Sequence, residues 1–312
     1  MKRILWACCL LLSTTLAWAQ APVPMLWKVS DADNSIYLLG SFHMLKPSDY
    51  PLAPRVGTVL AEVQQVYFEV APREMADPAL PARMMQAATR TDGKTLQQTV
   101  TPATWRALQR YAGKNQMDVA SLQGFKPWFV GMLLALTESQ KLGLNPALGL
   151  DQHLMARATQ AGKPTQGLET ADAQIAMLDS LDGTLQDAYL QDSLREVDDF
   201  QSLFEELHTA WRQGDTAALE RTALAEMRDQ YPVLYQRVNV DRNKAWLPQL
   251  DALLRDKARD NVLVVVGALH LVGLALVTGA LLLTHYWSFW LIGAVELVLA
   301  WQWWRDRTPE IQ

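Results

Sequence analysis

Asn261-Val-Leu-Val-Val-Val-Gly-Ala-Leu-His270 decides how this chain is read: an unbroken apolar run passes straight into glycine and then histidine. The five branched or leucine residues ahead of Gly267 predict a short strand buried on both faces, as a parallel sheet covered by helices requires. Gly267 lets the chain turn where a side chain would clash. His270 then falls just past the strand's carboxyl end, the edge at which open α/β sheets bind ligands. Upstream, Ser35-Ile-Tyr-Leu-Leu-Gly-Ser-Phe-His43 repeats the device: apolar run, glycine, two residues, histidine. A lone Gly-x-x-His is commonplace, and a histidine beside an apolar run is ordinarily a satisfied core or turn residue. Two copies, each behind a strand-like run, point to one site.

With half of its 312 residues hydrophobic, the chain holds material for one large domain or two small ones. Residues 1–19 read as a secretory signal peptide: Lys2 and Arg3 precede the apolar run Ile4 to Leu12, and Ala17-Trp-Ala19 supplies a small-x-small cleavage pattern. Both cysteines, Cys8 and Cys9, lie inside it, so the exported protein has no disulfide, thiolate metal ligand or cysteine nucleophile. Removing Lys2 and Arg3 takes the formal charge from −5 to about −7, which argues against a nucleic-acid partner. A periplasmic or otherwise exported location is expected.

Trp27-Lys-Val, a turn at Asp31-Ala-Asp-Asn34 and the run Ile36 to Leu39 predict a hairpin. Leu52 to Ala61 reads as a helix leading into Gln65-Val-Tyr-Phe-Glu69-Val, another short buried strand with a carboxylate at its end. An ionised carboxylate in such a place needs a cation or several donors. Asp77 to Ala161 is mainly helical: Thr101 caps a helix with Pro102 in its first turn, Trp105, Leu108 and Tyr111 share a face, and a deeply buried helix spans Pro127 to Leu142. Asp151 opens a further helix as N-terminal capper or site residue, with capping the commoner role. Lys163 to Thr170 reads as a strand ending in Glu169, matching Glu69. From Ala173 to Trp211 apolar positions fall at helical spacing, with Leu194, Val197, Phe204, Leu207 and Trp211 on one stripe. The acidic cluster of Glu196, Asp198, Asp199, Glu205 and Glu206 reads as a solvated face. Helices over Thr216 to Gln230 and from Asp241 to Lys257 follow, divided at Pro232.

The fold expected is thus α/β, a central sheet covered by helices, with a large helical portion, over residues 20–273. Residues 274–312 form a hydrophobic tail. Tyr286 to Trp304 is long enough to span hydrocarbon, with tryptophans near both ends and Arg305 and Arg307 beyond. Glu296 in mid-span is the cost of that reading. The tail is read as an inner-membrane anchor, with a terminal helix of the globular domain as the alternative.

Two histidines and one or two glutamates at the carboxyl edge of a sheet make a divalent-metal set of imidazole and carboxylate, suited to zinc, manganese, cobalt or ferrous iron. A metal left with an open position activates water, so hydrolysis follows. Serine-hydrolase, nucleotide-enzyme and zincin motifs do not occur in the chain.

At Leu26-Trp-Lys, Gly40-Ser-Phe-His43, Tyr67-Phe-Glu69, Gly149-Leu-Asp151, Leu168-Glu169-Thr, Arg242-Asn243 and Gly267-Ala-Leu-His270-Leu-Val-Gly273 the chain resembles the TraB/GumN (TraB/PrgY/GumN) family, related to the animal Tiki proteases. The resemblance implies a fold of the ChaN and erythromycin-esterase type and, by analogy with Tiki, peptidase chemistry dependent on Mn²⁺ or Co²⁺, with Zn²⁺ or Fe²⁺ as alternatives. It makes His43, His270 and Glu69 the metal set, and Glu69, Glu169, Arg242 and Asn243 the catalytic and supporting residues. A peptide or protein is the implied substrate, and the tail a point of membrane contact. The same histidines leave a second reading open: a non-enzymatic protein that binds haem, iron or a peptide.

Overall fold

The computed structural model describes residues 21–273 except 198 and 257. The segment read as a signal peptide and the tail read as an anchor lie outside the described residues. Among the described residues no helix is long and apolar enough to cross a membrane.

The sheet begins with the expected hairpin, β1 (Leu26–Ser30) antiparallel to β2 (Ser35–Ser41), in register from Leu26 opposite Leu39 to Ser30 opposite Ser35. Its turn is closed by the Asp31 carboxylate, which accepts the N–H groups of Asp33 and Asn34, each at 3.1 Å. Next come α1 (Pro54–Glu62), β3 (Gln65–Val70), α2 (Pro72–Met75), α3 (Leu80–Ala88), α4 (Pro102–Lys114), α5 (Pro127–Lys141) and α6 (Leu150–Gln160). They are followed by β4 (Thr165–Glu169), α7 (Ala171–Asp179), α8 (Gly183–Glu196), α9 (Phe200–Gln213), α10 (Thr216–Leu219), α11 (Glu226–Gln230), α12 (Pro232–Tyr235), α13 (Asp241–Leu254) and β5 (Val262–Gly267).

The strands form one five-stranded mixed sheet in the order β1-β2-β5-β3-β4. β2, β5, β3 and β4 are mutually parallel. Every residue of β2 and of β5 is buried, as their unbroken apolar runs require. The chain is an α/β protein with a large helical portion. One core packs both faces of the sheet. A second, purely helical core gathers Leu96, Trp105, Leu108 and Tyr111 with Val130, Leu134, Leu190 and Leu194.

Three expectations are corrected. The stripe from Leu194 to Trp211 is not one surface, because α8 and α9 are separate helices: Leu194 and Val197 join the helical core, Leu207 and Trp211 join the sheet core or its margin, and Phe204 packs edge-on against Phe42. The segment from Thr216 to Gln230 is interrupted by a π-helix at Glu220–Ala225, and a second π-helix, Gln236–Val240, runs directly into α13. α13 ends at Leu254, short of Lys257. Of the acidic cluster, Asp199, Glu205 and Glu206 are exposed, as a solvated face requires, and Asp198 lies outside the described residues.

Candidate active site at the carboxyl edge of the sheet

Four parallel strands open on one edge, and each delivers an imidazole or a carboxylate there. His43 follows β2, His270 follows β5, and Glu69 and Glu169 close β3 and β4. β5, last in the chain, is inserted between β2 and β3, so the two histidines leave neighbouring strands. Gly267 is the pivot. A β-carbon there would lie 3.2 Å from Glu69 Oε1, 3.2 Å from His43 Nε2 and 3.6 Å from His270 Cδ2, so these three side chains surround the space that glycine leaves. The Gly267 N–H also donates to Glu69 Oε1 at 2.6 Å.

Both imidazoles are held from behind at Nδ1. His270 Nδ1 lies 2.8 Å from Asn243 Oδ1, an acceptor, so this ring nitrogen carries the proton and Nε2 presents its lone pair. The Asn243 amide is itself oriented by donating to the carbonyl of His270 at 3.1 Å and to Asn239 Oδ1 at 3.2 Å. Asn239 lies in the π-helix that precedes α13, and such bulges recur at functional sites. Burial takes the His270 pKa down to about 4, against the pull of Glu69 and with the repulsion of Arg242 and His43. His43 Nδ1 stands 3.5 Å from Asp151 Oδ1 with its side chain 59% exposed. Desolvation opposes its charge, but the Asp151 hydrogen bond and the Asp151 and Glu69 charges outweigh it and raise the pKa to about 9. Water at the exposed ring screens part of that pull.

Arg242, at the start of α13, is the resident cation. It donates to Glu69 Oε2 at 2.5 Å, to Glu169 Oε1 through both Nε and Nη2, and to His270 Nε2 at 2.8 Å. Gln174 Nε2 bridges the same carboxylates, 3.2 Å from Glu69 Oε2 and 2.8 Å from Glu169 Oε1. Burial pushes the Glu69 carboxyl up, yet the positive charges of His270 when protonated, His43 and Arg242, with the Gly267 N–H, hold it down at about 2.

All six residues singled out from the sequence meet here, in two layers. His43 and Glu69 line a cavity of about 310 Å³ together with Asp151, Gln174, Met75 and Met155. His270, Glu169, Arg242 and Asn243 stand behind Glu69 and do not line it. The capping expectation for Asp151 is overturned: Gly149 is the cap of α6 and makes no side-chain cap bond, while Asp151 Oδ1 accepts from Ser41 at 3.1 Å. Ser41, Gln174 and Asn239 carried no signal in the sequence, except that Asn239 precedes Asn243 by one helical turn.

Two predictions arise from this packing. A β-carbon at Gly149 would meet the His43 carbonyl oxygen at 2.3 Å, a backbone atom that yields only if the His43 loop moves. Gly149→Ala is therefore expected to lower stability by about 1–3 kcal/mol in a thermal melt and to displace His43; an unchanged melt would contradict the packing. The second concerns pH. A depressed His270 contributes stability that is complete above its unfolded value near 6.5 and is lost as pH falls toward about 4. Glu69 adds a loss between its ordinary 4.5 and about 2. A raised His43 acts oppositely, contributing below 6.5 and fading as pH rises through about 9. Stability should thus peak near neutrality, and His270→Ala should flatten the limb between pH 6.5 and 4 in melts across pH.

A model of the TraB/PrgY/gumN family matches residues 25–278. The chain is similar to a protein of Escherichia coli (strain K12) named "Uncharacterized protein YbaP", with 29% identity over 248 residues, covering 77% of this chain and 85% of that one. It is equally similar to the Shigella flexneri protein of the same name, 29% identical over 244 residues, covering 76% and 84%. No solved structure matches.

Proposed function

The chain belongs to the TraB/PrgY/gumN family, and from that premise we propose that it is an exported, metal-dependent hydrolase of peptide bonds working at the His43, Glu69 and His270 cluster. The observation that carries this reading is the paired orientation of the imidazoles: Asp151 and Asn243 engage the two Nδ1 atoms, and His43 Nε2 and Glu69 Oε1 meet over Gly267. Outer partners that fix the ring and tautomer of a histidine are the usual companions of metal ligation. The donor chemistry therefore fits a divalent cation. His43 Nε2, Glu69 and His270 Nε2 would hold it, with His270 exchanging the Arg242 N–H for the ion. Among the described residues no three donors stand in ligand arrangement as they are, since Arg242 bonds both Glu69 and His270. Analogy with the Tiki proteases would favour Mn²⁺ or Co²⁺, and Zn²⁺ and Fe²⁺ suit the same donors.

A bound cation supplies Lewis acidity, polarising a carbonyl and acidifying a water. The chain's own groups do the rest. Asp151 on the cavity wall gives one oxygen to Ser41 and His43 and keeps the other to take a proton from water and return it to the leaving amine. Arg242, fixed by Glu169, bonds Glu69 from behind and keeps that carboxylate ionised at the cavity wall. The test is peptide cleavage by the purified chain that stops with chelator, returns with Mn²⁺ or Co²⁺ and is absent in His43→Ala. Cleavage that survives both the chelator and the substitution sinks the proposal.

A further inference from the structure

The cavity that reaches His43 and Glu69 is two-sided, and its second side has no part in the chemistry above. Ser41, His43, Glu69, Asp151 and Gln174 supply polar atoms; Met75, Met155, Phe68, Val70 and Pro146 supply an apolar wall. Helix geometry fixes how far apart the two sides lie. Asp151 and Met155 are four residues apart on α6, so they share one face, separated by one turn of about 5.4 Å. Met75 lines the same cavity from the end of α2, six residues beyond Glu69, and is 43% exposed, while Met155 is 8% exposed. One helical turn is about the span from a peptide carbonyl to the middle of the adjoining side chain. Methionine is flexible and polarisable, and two of them facing one space make a wall that adapts to apolar groups of differing shape.

Resting on the hydrolase reading, we propose that Met75 and Met155 form the specificity subsite of this centre, taking a bulky apolar side chain, of leucine, methionine or phenylalanine type, next to the bond that is cut. A cavity of about 310 Å³ is at the small end of ligand sites, room for one such residue and the adjoining peptide unit. Neither lysine nor arginine lines it, and its imidazole, His43, is already paired with Asp151, so the apolar wall offers an acidic side chain no partner.

Two measurements on the full chain test this. The first is binding of N-acetyl amino-acid amides, which needs no turnover. The leucine and phenylalanine amides are expected to bind about tenfold more tightly than the aspartate amide. Met75→Glu should erase most of that preference and raise the relative affinity of the lysine amide, at an unchanged melting temperature. Met155→Ala, read alongside, should weaken the leucine amide more than the alanine amide. The second is the residue preference of cleavage in a peptide library, wild type against Met75→Glu. Apolar preference in both measurements, altered by Met75→Glu, supports the subsite. Binding without preference, or a preference that neither substitution alters, overturns it. If the amides bind with the expected preference and no peptide is cut with any metal, the subsite stands and the hydrolase reading fails; metal-dependent cleavage with no apolar preference gives the reverse.

Discussion

Arg242→Ala should destabilise the protein by about 3–5 kcal/mol, because it strands two buried carboxylates on one another. Glu69 and Glu169 have side chains only 13% and 14% exposed, and Arg242 bonds both. Without it, Gln174 remains as a neutral donor to each, which cannot offset two negative charges at low dielectric. His270 Nε2 also loses its donor; a proton taken there, 4.0 Å from Glu69 Oε1, would return part of the lost positive charge at the cost of a buried imidazolium beside the Trp246 ring, 4.7 Å away. In a thermal melt the loss should read as a fall of roughly 10 °C. Arg242→Lys keeps the charge but not the planar fork, so it should fall between wild type and alanine. Adding Glu169→Gln to Arg242→Ala should recover part of the loss, since the residues act as one network. Equal melting temperatures for wild type and Arg242→Ala would mean that the guanidinium is not the keystone of this edge.

The second large effect falls on activity rather than stability. Glu69→Gln should lower peptide cleavage by about a thousandfold or more, since it removes the anionic member of the cluster. The fold should persist, because an amide oxygen can still accept the Gly267 N–H. Asn243→Ala acts through His270, whose Nδ1 it leaves without an acceptor, and outer partners of this kind are worth about 10–100-fold in metal affinity or activity. The contrast separates the roles: a large loss for Glu69→Gln and a smaller one for Asn243→Ala, both assayed with metal at saturation. If Asn243→Ala were as damaging as Glu69→Gln, orientation of the ring would not be its role.

The edge was legible because strand chemistry is local. β5 and β2 each announce themselves as apolar runs ending in glycine, and the alternation of β3 leaves Glu69 as the charged residue that a buried strand must have a reason to carry. The order of strands was not written in either run. That β5 enters between β2 and β3 is a tertiary fact, and it is what brings His43 and His270 together over Gly267. Asp151 could not be separated from an ordinary helix capper, because both roles place an acid in the first turn. Its partner Ser41, a distant residue at the end of β2, decides the matter. Arg242 rested on resemblance, since one arginine on a charged helix face carries no local mark of the two carboxylates it will meet. The division of Leu194 and Trp211 between two cores is likewise set by the break between α8 and α9, which helical periodicity bridges without interruption.

The central claim is that His43, Glu69 and His270 grip one ion. Titrating the metal-free full chain with Mn²⁺, Co²⁺ and Zn²⁺ in a calorimeter tests it most directly. One equivalent should bind to the wild type, and His43→Ala, His270→Ala and Glu69→Gln should each weaken that binding by an order of magnitude or more. A wild type that binds no ion at millimolar concentration, or a His43→Ala/His270→Ala double variant that binds as the wild type does, would contradict it.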